Sequence, residues 1–258
     1  MKHCNNLICT IFLLFVVLIF ANHAHAKKDI ILSADIWPPF NIKPNIDNPG
    51  YVVEIAKEIY DPQEYNIIYR PMPWSRAIRH CRNGKIHGII APYKSDVPDF
   101  IFPNNSVGKY GFKFYTLKDY DWTYNGLASL KEVILAITAN YSYGQKIDNY
   151  IKQNPKKIDI IRGHNPLHRN IQKLFLGRCD VLISTDQVFE YVAQKMHVND
   201  QIRGAGNALE PKFCYIAFSP SLQISKELAD QYEKGIKKMR KNGKLKEILS
   251  KYGLSDWK

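Results

Sequence analysis

The chain has 258 residues, 45% of them hydrophobic, 12% aromatic and 23% charged. That composition excludes a disordered tail, a collagen-like repeat and a small disulfide scaffold, and the length suits one large domain or two lobes of about 100–150 residues each. Lys and Arg number 36 against 24 Asp and Glu, and the resulting net charge of +12 permits an anionic partner without naming one. The densest basic stretch, Lys234 to Lys246, reads as a solvated helix face, and no nucleic-acid partner is implied.

The opening residues read as an address. Lys2 and His3 precede an apolar run from Leu7 to Ala21, and Ala24-His25-Ala26 closes the segment with a small-residue exit. This is the pattern of a secretory signal peptide cut after Ala26, with a periplasmic mature chain. An apolar run of about 15 residues is shorter than the roughly 20 that a spanning helix needs. Cys4 and Cys9 leave with this segment, so Cys81, Cys179 and Cys214 remain. Three thiols cannot all pair within one chain, and their spacing matches no zinc motif. They read as small apolar side chains in a fold that rests on its cores.

In chain order the mature sequence alternates strands and helices. Asp29 to Asp35 reads as a buried strand, followed by the turn Trp37-Pro38-Pro39-Phe40 and a loop from Asn41 to Gly50. Val52, Ile55, Ala56 and Ile59 give Tyr51–Tyr60 helical spacing. Tyr65–Arg70 alternates as a strand, Ser75 caps a helix through Arg82, and Asn83-Gly84 ends it before a strand over Ile86–Ala91. Glu132–Thr138 is a strand, Ala139–Gly144 a turn, and a helix runs on to Gln153. Strands over Ile158–Ile161 and Asp180–Ser184 alternate with helices over Pro166–Leu176 and Gln187–Met196. Phe213–Phe218 reads as a strand, and helices over Ser225–Lys241 and Leu245–Tyr252 close the chain. This rhythm predicts an α/β fold with parallel-rich sheets covered on both faces.

Residues 83–91 and 176–184 repeat one pattern without a gap: helix end, Gly, basic residue, then an apolar strand with a small last residue. The repeat predicts two similar lobes. Ligands of open α/β sheets sit beyond the carboxyl ends of the strands. By that rule the candidate ligand-binding residues are Trp37 and Phe40, Tyr93 and Lys94, Asn140, Tyr141, Ser142 and Tyr143, and Thr185 and Asp186, with Trp74 and Arg76 at a helix start. Aromatic walls with a few directional polar groups suit a small polar solute. Glu54 reads as a helix-start charge. No catalytic constellation, no metal spacing and no cofactor signal stands out, so neither catalytic nor metal-ligating residues are assigned.

Several segments resemble the bacterial extracellular solute-binding proteins of family 3, the periplasmic receptors for polar amino acids. They are Trp37-Pro38-Pro39-Phe40, Gly50-Tyr51-Val52-Val53-Glu54-Ile55-Ala56, Pro73-Trp74-Ser75-Arg76-Ala77, Gly84-Lys85-Ile86-His87-Gly88-Ile89, Gly177-Arg178-Cys179-Asp180-Val181 and Lys241-Asn242-Gly243-Lys244-Leu245-Lys246-Glu247-Ile248. The resemblance spans almost all of the mature chain. It implies a two-lobed periplasmic-binding-protein-like fold of type II, with each lobe a mostly parallel sheet flanked by helices. Lobe 1 would comprise 27–115 and 210–258 and lobe 2 would comprise 116–209, with crossover strands near Phe112–Lys118 and Ala208–Tyr215 and hinge closure on one ligand.

The chain also departs from the family pattern. The family's Thr-x-x-Arg, whose Arg grips the ligand carboxylate, aligns with Lys94 to Asp99, so that Asp96 replaces the Thr and Asp99 the Arg. A carboxylate there repels an amino-acid ligand unless Lys94 or Arg76 takes over. The family's acidic partner for the ligand amine falls at Thr185 or Asp186, and His87 stands where the family often has Asp. The resemblance implies a monomeric, non-catalytic receptor that delivers an amino acid or related compound to an inner-membrane ABC-type permease. The alternatives are a receptor subunit that serves a sensor without transport, and a cyclohexadienyl-type dehydratase on the same scaffold, with Asp186 as its acid or base.

Overall fold

The computed structural model describes residues 27–60, 64–163 and 165–258. The expected signal peptide, residues 1–26, lies outside them. Among the described residues nine strands form two sheets, each flanked by helices.

The first sheet is built from β1 (Lys28–Ser33), β2 (Tyr65–Tyr69), β3 (Gly88–Ile90) and β9 (Ile216–Phe218), in the order β2-β1-β3-β9. β1 runs parallel to both β2 and β3, and β9 closes the sheet antiparallel to β3. Helices α1 (Tyr51–Ile59) and α2 (Trp74–Arg82) connect these strands. The spacing of Val52, Ile55 and Ala56 puts all three on the buried face of α1.

The second sheet contains β4 (Gly108–Leu117), β5 (Leu135–Thr138), β6 (Ile158–Ile161), β7 (Val181–Ser184) and β8 (Ile202–Cys214), in the order β6-β5-β7-β4-β8. β5 is parallel to β6 and β7, and β4 is antiparallel to β7 and β8. Its helices are α3 (Gln145–Gln153), α4 (Pro166–Phe175) and α5 (Asp186–Met196). The last helices, α6 (Ser225–Lys241) and α7 (Lys244–Ser250), pack on α1 beside the first sheet.

The internal repeat has a structural counterpart. Gly84 and Gly177 both end a helix with positive φ, 69° and 64°, a conformation that glycine adopts without steric cost. Each glycine leads into a strand with a parallel neighbour on one side, β1 or β5, and an antiparallel neighbour on the other, β9 or β4.

The expected crossings at Phe112–Lys118 and Ala208–Tyr215 fall on β4 and β8, which form one long antiparallel ribbon in the second sheet. The chain passes between the sheets just before Gly108 and at Tyr215. The stretch Phe213–Phe218, read as one strand, is therefore two. Cys214 pairs with Gly108 in one sheet, and Ile216–Phe218 pairs with Gly88–Ile90 in the other. The strand expected from Glu132 begins at Leu135, because Ser129–Glu132 closes a single 3₁₀ turn.

One buried cluster runs from Ile30 and Leu32 in the first sheet, through Tyr110 and Phe112, to Leu135 and Ile137 in the second. Cys81, Cys179 and Cys214 are buried and unpaired. Burial pushes the Cys81 and Cys179 thiols up to about 12.

Candidate ligand-binding site

A cavity of about 370 Å³ opens between the two sheets. It lies beyond the carboxyl ends of β1, β3 and β5, where the rule for open α/β sheets places a ligand. The chain leaving β1 supplies Ala34, Asp35 and Trp37. The first turns of α2 add Trp74, Ser75 and Ile78, and the chain after β3 adds Ala91, Ser95 and Asp96. Tyr110 and Phe112 of β4 form one wall, and Asn140, Tyr141 and Ser142 reach in after β5.

Aromatic packing sets the walls. Trp37 stacks on Phe40 with centroids 4.6 Å apart and meets Tyr110 edge-on, also at 4.6 Å. Tyr110 in turn stacks on Tyr93 at 4.3 Å. Such contacts hold the rings in place before any guest arrives.

Asp35 bridges the halves. Its Oδ2 accepts a hydrogen bond from the Tyr141 hydroxyl, and Asn41 Nδ2 donates to its backbone carbonyl. Burial pushes the Asp35 carboxyl up to about 6, against the opposing effect of the Tyr141 hydrogen bond. Burial and the neighbouring Asp35 hold the Tyr141 hydroxyl well above its ordinary range. Asp96 accepts the Tyr93 N–H at 3.0 Å, and burial raises its carboxyl as well. Asp148 fastens the loop after β5 to the start of α3, accepting from Ser142 Oγ at 2.7 Å and from the Tyr143 N–H at 2.8 Å.

A second cavity of about 360 Å³ shares Trp37, Phe112 and Tyr141 with the first. It extends along α4 and α5 and is bordered by Thr138, Tyr143 and Thr185. Thr185 Oγ1 is buried there without a hydrogen-bond partner among the described residues.

Of the expected residues, Trp37, Trp74, Asn140, Tyr141 and Ser142 meet at the first cavity. Phe40 sits behind Trp37 as a buried plug. Tyr93 lies beneath the wall, its hydroxyl donating to the Tyr110 carbonyl at 2.6 Å. Tyr143 and Thr185 border the second cavity instead.

Three of the expected residues line neither cavity. Arg76 is exposed and off the cavity, because Trp74, Ser75 and Ile78 form the face of α2 that lines it. The Lys94 ammonium sits over the rings of Tyr215, at 4.6 Å, and Phe102, at 5.8 Å, and lines neither cavity. Asp186 is engaged at the start of α5 by Lys113 at 3.0 Å and by the Tyr115 hydroxyl at 2.5 Å. Asp99 also stays outside, in a fork with Arg82 at 2.7 and 3.0 Å.

Sequence reasoning did not single out Asp35, Ser75, Ser95, Tyr110 or Phe112 for the cleft. Asp35 carried a usable signal, since it ends the expected first strand. Tyr110 and Phe112 carried none, because the strand there was expected only from Phe112 to Lys118 and as a hinge crossing, not as a wall of the cleft. Among the described residues, no group of three or more His, Cys, Asp or Glu side chains could hold a metal ion.

The model of the bacterial extracellular solute-binding proteins, family 3, matches residues 30–255. The L-cystine-binding protein TcyJ of Bacillus subtilis (strain 168) is 26% identical over 214 residues, covering 81% of this chain and 77% of that protein. The structure of an ancestral arginine-binding protein bound to arginine superposes with a TM-score of 0.71 at 20% identity, covering 88% of this chain and 99% of that one. An ABC uptake transporter substrate-binding protein from Streptococcus pneumoniae with bound histidine also reaches 0.71, at 16% identity over 89% of this chain and 94% of that one. With a family match over nearly the whole of the described chain, and with strand ends from two sheets meeting at one cavity, the protein belongs to family 3 of the bacterial extracellular solute-binding proteins.

Proposed function

We propose that this protein is a periplasmic receptor that closes its two lobes around one small polar solute and passes it to an inner-membrane ABC-type permease. Residues 1–26 direct export and are cleaved after Ala26, and the mature chain acts as a monomer without catalysis. The observation that carries the reading is the cavity between the sheets, which is of small-metabolite size and is bridged by the hydrogen bond from Tyr141 to Asp35. The transport role draws support from the relatives, whose names describe cystine binding and ABC uptake. The two connections between the sheets lie side by side, just before Gly108 and at Tyr215, where the β4–β8 ribbon ends, which suits hinge closure.

Mass spectrometry of the gently purified chain, joined to a thermal-shift screen of small polar metabolites, tests the reading. A stoichiometric guest, or a melting-point rise that Trp74→Ala abolishes, is the expected result. A broad library that leaves the melting point unmoved, with no co-purified compound, overturns it.

A further inference from the structure

The charge lining the cavity has a single sign. Asp35 and Asp96 are its ionisable acids, and among the described lining residues there is no Lys, Arg or His, although the whole chain carries +12. The two carboxylates come from different elements, one after β1 and one after β3. Asp35 is held through Oδ2 by the Tyr141 hydroxyl.

The positive groups that could hold a guest's carboxylate do not line this cavity, and His168 and Lys195 border the second cavity instead. Arg76 is off the cavity, Lys94 covers Tyr215, and Lys113 is paired with Asp186. Lys212 lines an adjoining groove that shares Asp96 with the cavity, and does not line the cavity itself. An α-carboxylate placed here would therefore face like charge without a countercharge. The walls point the same way. Trp37, Trp74, Tyr110 and Phe112 line the cavity, and aromatic rings attract cations over their faces.

We propose that the ligand is an organic ammonium cation without a carboxylate. Its charged nitrogen is held by Asp35 and Asp96, and its alkyl part lies against Trp37 and Trp74. The assignment rests on the cavity being the solute site, and it names the chemical class of that solute.

Titration calorimetry with three matched pairs tests it: agmatine against arginine, putrescine against ornithine, and choline against glycine betaine. In at least one pair the member without the carboxylate binds at least tenfold tighter. Asp35→Asn and Asp96→Asn each weaken that binding by about tenfold or more, with circular dichroism verifying the fold. Equal or tighter binding by the carboxylated member of every pair overturns the proposal. So does an affinity that neither substitution changes, or the failure of all three cations to bind. If a neutral or anionic metabolite binds instead and Trp74→Ala abolishes it, the cation class falls while the receptor reading stands. If no compound of any charge binds, both fall.

Discussion

Asp35 combines burial with ionisation, and the combination has a predictable sign. The titratable groups around it are the hydroxyls of Tyr141, Tyr69 and Tyr143, and no cationic side chain lines the cavity with it. With the carboxyl raised to about 6 in the folded protein, the native state holds a proton between about pH 4 and 6 that the unfolded chain has already lost. This group therefore favours folding at low pH, and its contribution is lost as pH rises through that window. Urea denaturation at pH 5 and pH 7 should find Asp35→Asn stabilising at pH 7 relative to its effect at pH 5, and an equal effect at both would remove the burial argument. Affinity for a cation runs the other way, rising as Asp35 ionises.

Trp74 gives a second test at this scale. It is half-buried at the start of α2 and lines the cavity, so Trp74→Ala should cost at least about tenfold in ligand affinity while leaving a cooperative unfolding transition. Glu54 illustrates how local reading and tertiary outcome differ. It sits in the first turn of α1 as expected, yet its carboxylate is also held by Lys251 at 2.7 Å and by the Tyr252 hydroxyl at 2.5 Å.

At the scale of elements, the entry to α1 depends on one glycine. Gly50 has φ of 114°, and a Cβ there would lie 2.4 Å from Asn41 Cα and 2.5 Å from the Phe40 carbonyl. Gly50→Ala should therefore destabilise the protein by more than about 2 kcal/mol, read as a lower urea midpoint at unchanged slope. An unchanged midpoint would mean that the turn shifts to make room.

The long ribbon of β4 and β8 escaped the sequence pattern for a physical reason. β8 reads IRGAGNALEPKFC, with two glycines, a proline, an asparagine and a glutamate, a composition that signals loop. What makes it a strand is its partner, since backbone pairing with β4 compensates for poor intrinsic propensity. The parallel strands β1, β2, β5, β6 and β7 were legible because they are short apolar runs next to amphipathic helices.

For the whole molecule, Tyr141 ties the two halves across the cavity. Tyr141→Phe removes the hydroxyl that donates to Asp35 and should shift the ligand-free chain toward more open forms. Small-angle scattering would register this as a larger radius of gyration, and an unchanged radius would show that other contacts hold the lobes. The three thiols of the described residues provide an independent check of the cores. Buried and unpaired, Cys81, Cys179 and Cys214 should resist a thiol reagent in the native protein and all react in denaturant. Fewer than three reacting on unfolding would reveal a disulfide.

Hydrophobic period, helix ends marked by glycine, and the doubled strand-helix rhythm are written locally, so the sequence by itself determined the α/β class and most of the elements. It also brought out the rim turns at Trp37 and Asn140. Which side chains face the cavity was decided only by the tertiary structure. Register along β4, the rotation of α2 and the partners of Lys94 and Asp186 depend on contacts between residues distant in the chain. A charge read next to a strand end belongs to the cleft only if no closer partner claims it. Here Lys113 claims Asp186 and Tyr215 claims Lys94, while Asp35 and Asp96 are left lining the cavity.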